Sequence, residues 1–276
     1  MSSPVMRLFL LLFALSAPLW LIGAVTRVEL RPGIPVTVIA LPFLPVIAAL
    51  ILTSRQHGRA GVKALLARSF DFHRMRHPGW YIPAVMLKPA IVVVAYILLR
   101  LQGWPVPLYD FSFVTLLGMV ALFFAWALGE ELAWSGYVID PMQHRLDALR
   151  GGVLLGVVWA VWHLPTLIQG GRTAAWIAWW ALGTIATRVI LVWLYNNTGK
   201  SVFAASIYHT MDNLAVVGVA SFTSLAAERY LGLLTAAVAG ILILGWGSRT
   251  LATYRGLRAI DRVERASVAG PGSKRL

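Results

Sequence analysis

Apolar residues in this chain neither alternate nor keep to one helical stripe; they come in long runs of about 18 to 25 residues. That is the length an α-helix needs to cross a hydrocarbon core of roughly 30 Å. The runs predict eight membrane-spanning helices, at about 8–25, 34–53, 80–101, 111–139, 151–168, 174–195, 202–222 and 230–246. The first, preceded by Arg7 and passing Ala14 to Ala17, has some features of a signal peptide. Pro18 and further apolar residues follow, which favours an uncleaved helix.

Polar positions between the runs set the orientation. Arg55, Arg59, Lys63, Arg68, Arg74 and Arg76 crowd the second loop, Arg145 and Arg150 lie in the fourth, and Lys200 sits in the sixth. More Arg and Lys residues follow Trp246, whereas the third loop has none between Gly103 and Asp110. Arg27 and Arg31 make the first loop a weaker fit. By the positive-inside bias, the even-numbered loops and both termini face the cytoplasm, as for an integral protein of a bacterial cytoplasmic membrane. Residues 59–72 read either as an interfacial amphipathic helix or as a solvated loop.

Composition agrees with the runs. With 59% hydrophobic and 13% charged residues and a mean hydropathy of +0.74, the chain is too apolar for a soluble domain, so an all-α polytopic bundle is expected. The net charge of +13 is spread over loops and tail and forms no single aromatic-interleaved patch, so a nucleic-acid partner is not expected. The bilayer is. Cysteine is absent, which excludes disulfides, thiolate metal sites and Cys nucleophiles. The chain divides into N-terminal helices (1–110), a core (111–247) and a basic, disordered tail (248–276).

Polar residues inside the runs are few, and a charge at membrane depth persists only with a partner or a use. Glu130 and Glu131 end the fourth run in G-E-E-L-A-W-S-G-Y; His163 lies in W-A-V-W-H-L-P and His209 in S-I-Y-H-T-M-D-N. Residues four apart share a helix face, which pairs Glu130 with Trp134, Glu131 with Ser135, Trp159 with His163, and His209 with Asn213. Counted along their helices, these groups reach similar depths in the inner half of the bilayer. A lone membrane histidine or carboxylate commonly serves only interhelical hydrogen bonding. Together they make a parts list for activating water, although a transporter's proton relay uses the same residues.

These three segments, in order, resemble the motifs E-E-x-x-x-R, F-x-x-x-H and H-x-x-x-N of the CPBP family, the CAAX-protease and bacteriocin-processing (Abi-like) intramembrane metalloproteases. The resemblance covers about 128–213. It implies a hydrolase that cuts a peptide or membrane-protein segment, prenylated in some members, within a cytoplasm-facing cavity. Carried over by position, Glu130 activates water with Glu131 as its partner, and His163, His209 and Asn213 complete the catalytic set. His163, His209 and Glu130 would bind a divalent metal, zinc above all, or the imidazoles would stabilise an oxyanion; Asn is a poor zinc ligand, and a metal-free glutamate mechanism stays open.

Two positions depart from the pattern. Trp159 replaces Phe, one aromatic for another. Ser135 replaces the arginine, which leaves Glu131 without a cation and favours its neutral form unless another cation serves. Arg188, which interrupts an apolar helix at similar depth, is the candidate, with snorkelling to the interface as its alternative. The rival functional readings are an inactive scaffold of the same family and a proton-coupled transporter.

Overall fold

Backbone N–H and C=O groups inside a bilayer need partners, and a helix supplies them within one segment. The structure is a computed structural model that describes residues 3–31, 33–106, 110–217 and 224–252. Its helices are α1 (Ser3–Thr26), α2 (Leu44–Ala67), α3 (Tyr81–Leu101), α4 (Phe113–Ala133), α5 (Ile139–Leu146), α6 (Ala148–Gln169), α7 (Ala174–Asn197), α8 (Val202–Val217) and α9 (Leu225–Trp246). Seven spans among the described residues are long and apolar enough to cross a membrane. The protein is an all-α polytopic membrane bundle. The predicted seventh span extended to residue 222, and its last part lies outside the described residues, as do residues 253–276 of the tail.

The second predicted span falls largely within one apolar enough to cross a membrane, Val36–Phe70, but its first part is irregular. Residues 34–53 are not one helix: a small antiparallel hairpin, β1 (Glu29–Arg31) with β2 (Ile34–Pro35), leads through two 3-10 turns into α2 only at Leu44. Pro35, Pro42 and Pro45 explain the delay, because each lacks an amide donor and restricts the residue before it. Beyond the bilayer part of α2, Gly58 adopts φ 59° and ψ −157°, a conformation that glycine tolerates best. Past this kink the chain is helical to Ala67 and continues as short 3-10 turns, so the helical reading of 59–72 holds for most of it.

Long-range hydrogen bonds define two ends of the bundle. At one end Arg68 donates to Gly136 O (2.8 Å) and Lys200 O (2.7 Å), and Ala148 N donates to Arg249 O (3.1 Å). This end carries the basic loops. At the other, Gln169 donates to Trp20 O at 2.8 Å and the Gly170 turn lies against the backbone of Gly33 in the hairpin. Near the basic end the core is tightly filled by Trp134, Val138, Leu155, Ile190, Leu191, Leu194, Tyr195, Ala205 and Tyr208.

Candidate active site

Helix α4 ends at Ala133 and the chain runs through one π-helical turn, Trp134–Val138, into α5. Such wide turns redirect side chains and recur at functional sites. The last α-helical turn carries Glu130 and Glu131, both buried.

Glu131 faces protein on every side. Arg188 of α7 donates from Nη1 to Oε2 at 3.0 Å, and its Nη2 pairs with Oε1 at 2.9 Å. His209 Nδ1 donates to Oε1 at 3.1 Å, and Ser135 Oγ donates to Oε2. The cation expected four residues along α4 thus arrives from α7. Ser135 is small enough to leave room for it while still donating a hydrogen bond. Arg188 is buried, with its guanidinium 4.4 Å from the centroid of the Trp159 ring, so the snorkelling alternative is set aside.

Glu130 faces a cavity. Its Oε2 accepts from the indole Nε1 of Trp159 at 2.7 Å and of Trp134 at 3.1 Å. Two rigid donors fix one oxygen and leave the other for chemistry. The cavity, about 660 Å³, is lined by Glu130, His163, His209 and Asn213 at its inner part. Glu131 is not among the lining residues; its place is behind His209, which it orients.

The imidazoles share one hydrogen-bonding arrangement. His163 Nδ1 donates to Trp159 O at 2.9 Å, as His209 Nδ1 does to Glu131, so Nε2 of each ring carries the free lone pair when the ring is neutral. Anchored Nδ1 atoms with available Nε2 atoms suit metal ligation. The third ligand is where the expected set fails. Among the described residues, no three His, Cys, Asp or Glu side chains come together in a group that could hold a metal ion. The expected set of His163, His209 and Glu130 does not fit a metal as arranged, so the steps below use none.

From this inner part the cavity runs past Thr187, Thr184 and Trp180 of α7 and Thr166 of α6 to Arg172, Glu228 and the hairpin residues Gly33–Pro35. It therefore reaches the end of the bundle opposite the basic loops. Sequence reasoning paired Glu130 with Trp134 but passed over Trp159 as its second indole donor, and passed over a second polar group on the cavity wall, Lys88, Asp212, Glu228 and Thr235. Lys88 and Asp212 both interrupt apolar runs, which was the available signal.

Two comparisons bear on this arrangement. Residues 111–215, which include all the residues assembled around Glu130 and Glu131, match the family model described as type II CAAX prenyl endopeptidase Rce1-like. Over 225 residues, 75% of this chain and 81% of the relative, the chain is 27% identical to a CAAX prenyl protease 2 of Methanococcus maripaludis.

Proposed function

We propose, from the premise that the chain belongs to the CPBP family of intramembrane proteases, that Glu130 is the base of its peptide hydrolysis. The observation that carries this reading is a carboxylate with one oxygen fixed by two indoles, facing a cavity that two anchored imidazoles also line.

A water bound between Glu130 and His163 Nε2 gives a proton to Glu130 as its oxygen attacks the scissile carbonyl carbon. Negative charge develops on the carbonyl oxygen. His209, in its imidazolium form beside Glu131, donates from Nε2 to that oxyanion, with Asn213 one turn further along α8 as a second polar contact. When the C–N bond breaks, Glu130 returns the proton to the leaving nitrogen. Glu131 touches no substrate; with Arg188 and Ser135 it holds the His209 ring.

The substrate is a peptide or protein segment in the membrane. A prenylated segment is the finer proposal, supported by the name of the archaeal relative. The Arg188 pairing weighs against the inactive scaffold, since the motif cation is replaced and not lost. The test compares the proteomes of membranes carrying the wild-type chain and Glu130→Gln. Peptides cut by the former should disappear in the latter, a loss of about a hundredfold or more in rate, typical of removing a general base. A Glu130→Gln protein that cuts at the wild-type rate sinks this reading.

A further inference from the structure

Away from Glu130 the cavity wall carries a second set of charges, and one of them faces the cavity without a partner. Lys88 of α3 is 5% exposed; its Nζ pairs with Asp212 Oδ1 of α8 at 2.6 Å and lies 3.5 Å from Thr235 Oγ1 of α9. That cation is matched. Arg172 stacks its guanidinium 4.8 Å from the centroid of the Trp176 ring. Glu228 of α9 lines the same cavity at 6% exposure. Its carboxyl makes no hydrogen bond or ion pair with any described residue, these two cations included.

The ordinary uses of such a residue leave its burial unexplained. An acidic side chain in a first helical turn complements the helix dipole, but it does so from solvent equally well. Ser224 Oγ already caps this helix, accepting from Ala227 N at 3.2 Å. Packing alone would be served better by an apolar side chain of similar volume. A charge held out of water needs a partner, and the space left for one is the cavity. Leu231, Trp176 and Trp180 line it too, offering apolar surface to the methylene stem of a long cationic side chain.

Helix geometry sets the span from the reacting centre. Asp212 lies three residues past His209 on α8, Thr235 meets Asp212 at Lys88 Nζ, and Glu228 stands seven residues before Thr235 on the oppositely directed α9. At about 1.5 Å per residue the sum is roughly 15 Å. A count through α7 agrees. Arg188, paired with Glu131, is five residues from Gly183, Gly183 packs against Gly232, and Glu228 is four residues further, roughly 13 Å in all. Either path equals about four residues of extended chain.

We propose that Glu228 binds a cationic side chain, Lys or Arg, carried by the substrate about four residues from the bond that is cut. Which bond this serves rests on the hydrolytic reading above; the cation site itself does not. Segments with a basic residue at that distance gain an ion pair in a dry wall, and segments with Asp or Glu there meet like charge.

The chain has no cysteine, so Thr184→Cys places a single thiol on the cavity wall, next to the Gly183–Gly232 contact. In detergent, its rates with cationic aminoethyl and anionic sulfonatoethyl methanethiosulfonate are compared with Glu228 present and in Glu228→Gln. The cationic reagent should be favoured, and Glu228→Gln should reduce that preference about tenfold, the scale of a focused field in a cleft. An unchanged ratio, or a thiol that reacts with neither reagent, overturns the site. Cut sites gathered from membranes carrying the wild-type chain, Glu228→Gln and Glu228→Lys then read the substrate. Wild-type sites should be enriched in Lys or Arg about four residues from the cut. Glu228→Gln should slow those sites about tenfold or more while sparing the others, and Glu228→Lys should shift the preference to Asp or Glu. Wild-type sites without basic enrichment, or losses spread evenly over all sites, overturn the assignment to substrate. A chain that cuts nothing, with a thiol ratio that still responds to Glu228, sinks the hydrolytic reading and leaves the cation site standing.

Discussion

Three hydrogen-bond donors from three helices meet on Glu131, with Arg188 Nη2 as a further ion-pair contact, and the arginine expected four residues on is not among them. Arg188 takes its place. Removing one partner of a buried ion pair strands the other, at a cost of about 3 to 5 kcal/mol. Arg188→Leu should therefore lower the unfolding midpoint in detergent markedly and reduce turnover through a misplaced His209. In that background Ser135→Arg should restore part of both, since its guanidinium starts one helical turn from Glu131. In the wild-type background the same change crowds two cations onto one carboxylate, and activity should fall or stay level. Wild-type stability and turnover in Arg188→Leu would dismiss the compensation. The donor set around Glu130 makes a second demand: protein stripped by chelator should keep its hydrolysis. Loss on chelation with recovery on adding zinc would reinstate His163, His209 and Glu130 as ligands. The carboxylates, histidines and Asn213 were legible because i, i+4 spacing is local information, and Arg188 because its depth can be counted along a helix. The Trp159 donor to Glu130 was not, because spacing along one helix does not say which faces of two helices meet.

Elements show where local patterns run out. The hairpin and 3-10 turns before α2 fall inside an apolar run, and only the prolines hint that residues 34–43 are not helical. A larger omission is Asp71. Read from sequence, its loop only reported topology, yet Asp71 is buried and caps α8 from 130 positions away. Its Oδ1 accepts from Ser201 Oγ at 2.7 Å and Phe203 N at 3.1 Å, and its Oδ2 from Val202 N at 3.3 Å. A carboxylate there satisfies amides that a helix cannot satisfy itself and complements its dipole. Helix α8 carries His209 and Asn213, so the second loop holds half of the site in register. Asp71→Ala should cost about 1 to 2 kcal/mol, as lost helix caps do, and lower turnover, while Asp71→Asn should recover part of both. Thermal unfolding and hydrolysis measured on the same preparations decide it; an Asp71→Ala protein unchanged in both would reduce the loop to a connector.

At the scale of the whole molecule, orientation is a single unknown. Hydrogen bonds join Arg68 to Lys200, and Ala148 to Arg249, at one end, while Gln169 meets Trp20 at the other. Once the side of one loop is known, every other loop follows. Helical runs and loop charges, both readable from sequence, establish that there are two ends and that they differ in charge. Where the cavity opens was not readable, because it depends on which stretches between helices are filled by side chains. The charge bias predicts that a reporter active only outside the cytoplasm will be active when fused after Gly171 and silent when fused after Arg150. Activity at both positions, or at neither, would break the bundle itself, since helix α6 lies between them. A reversed pattern would leave the bundle intact but invert it, with the basic loops outside.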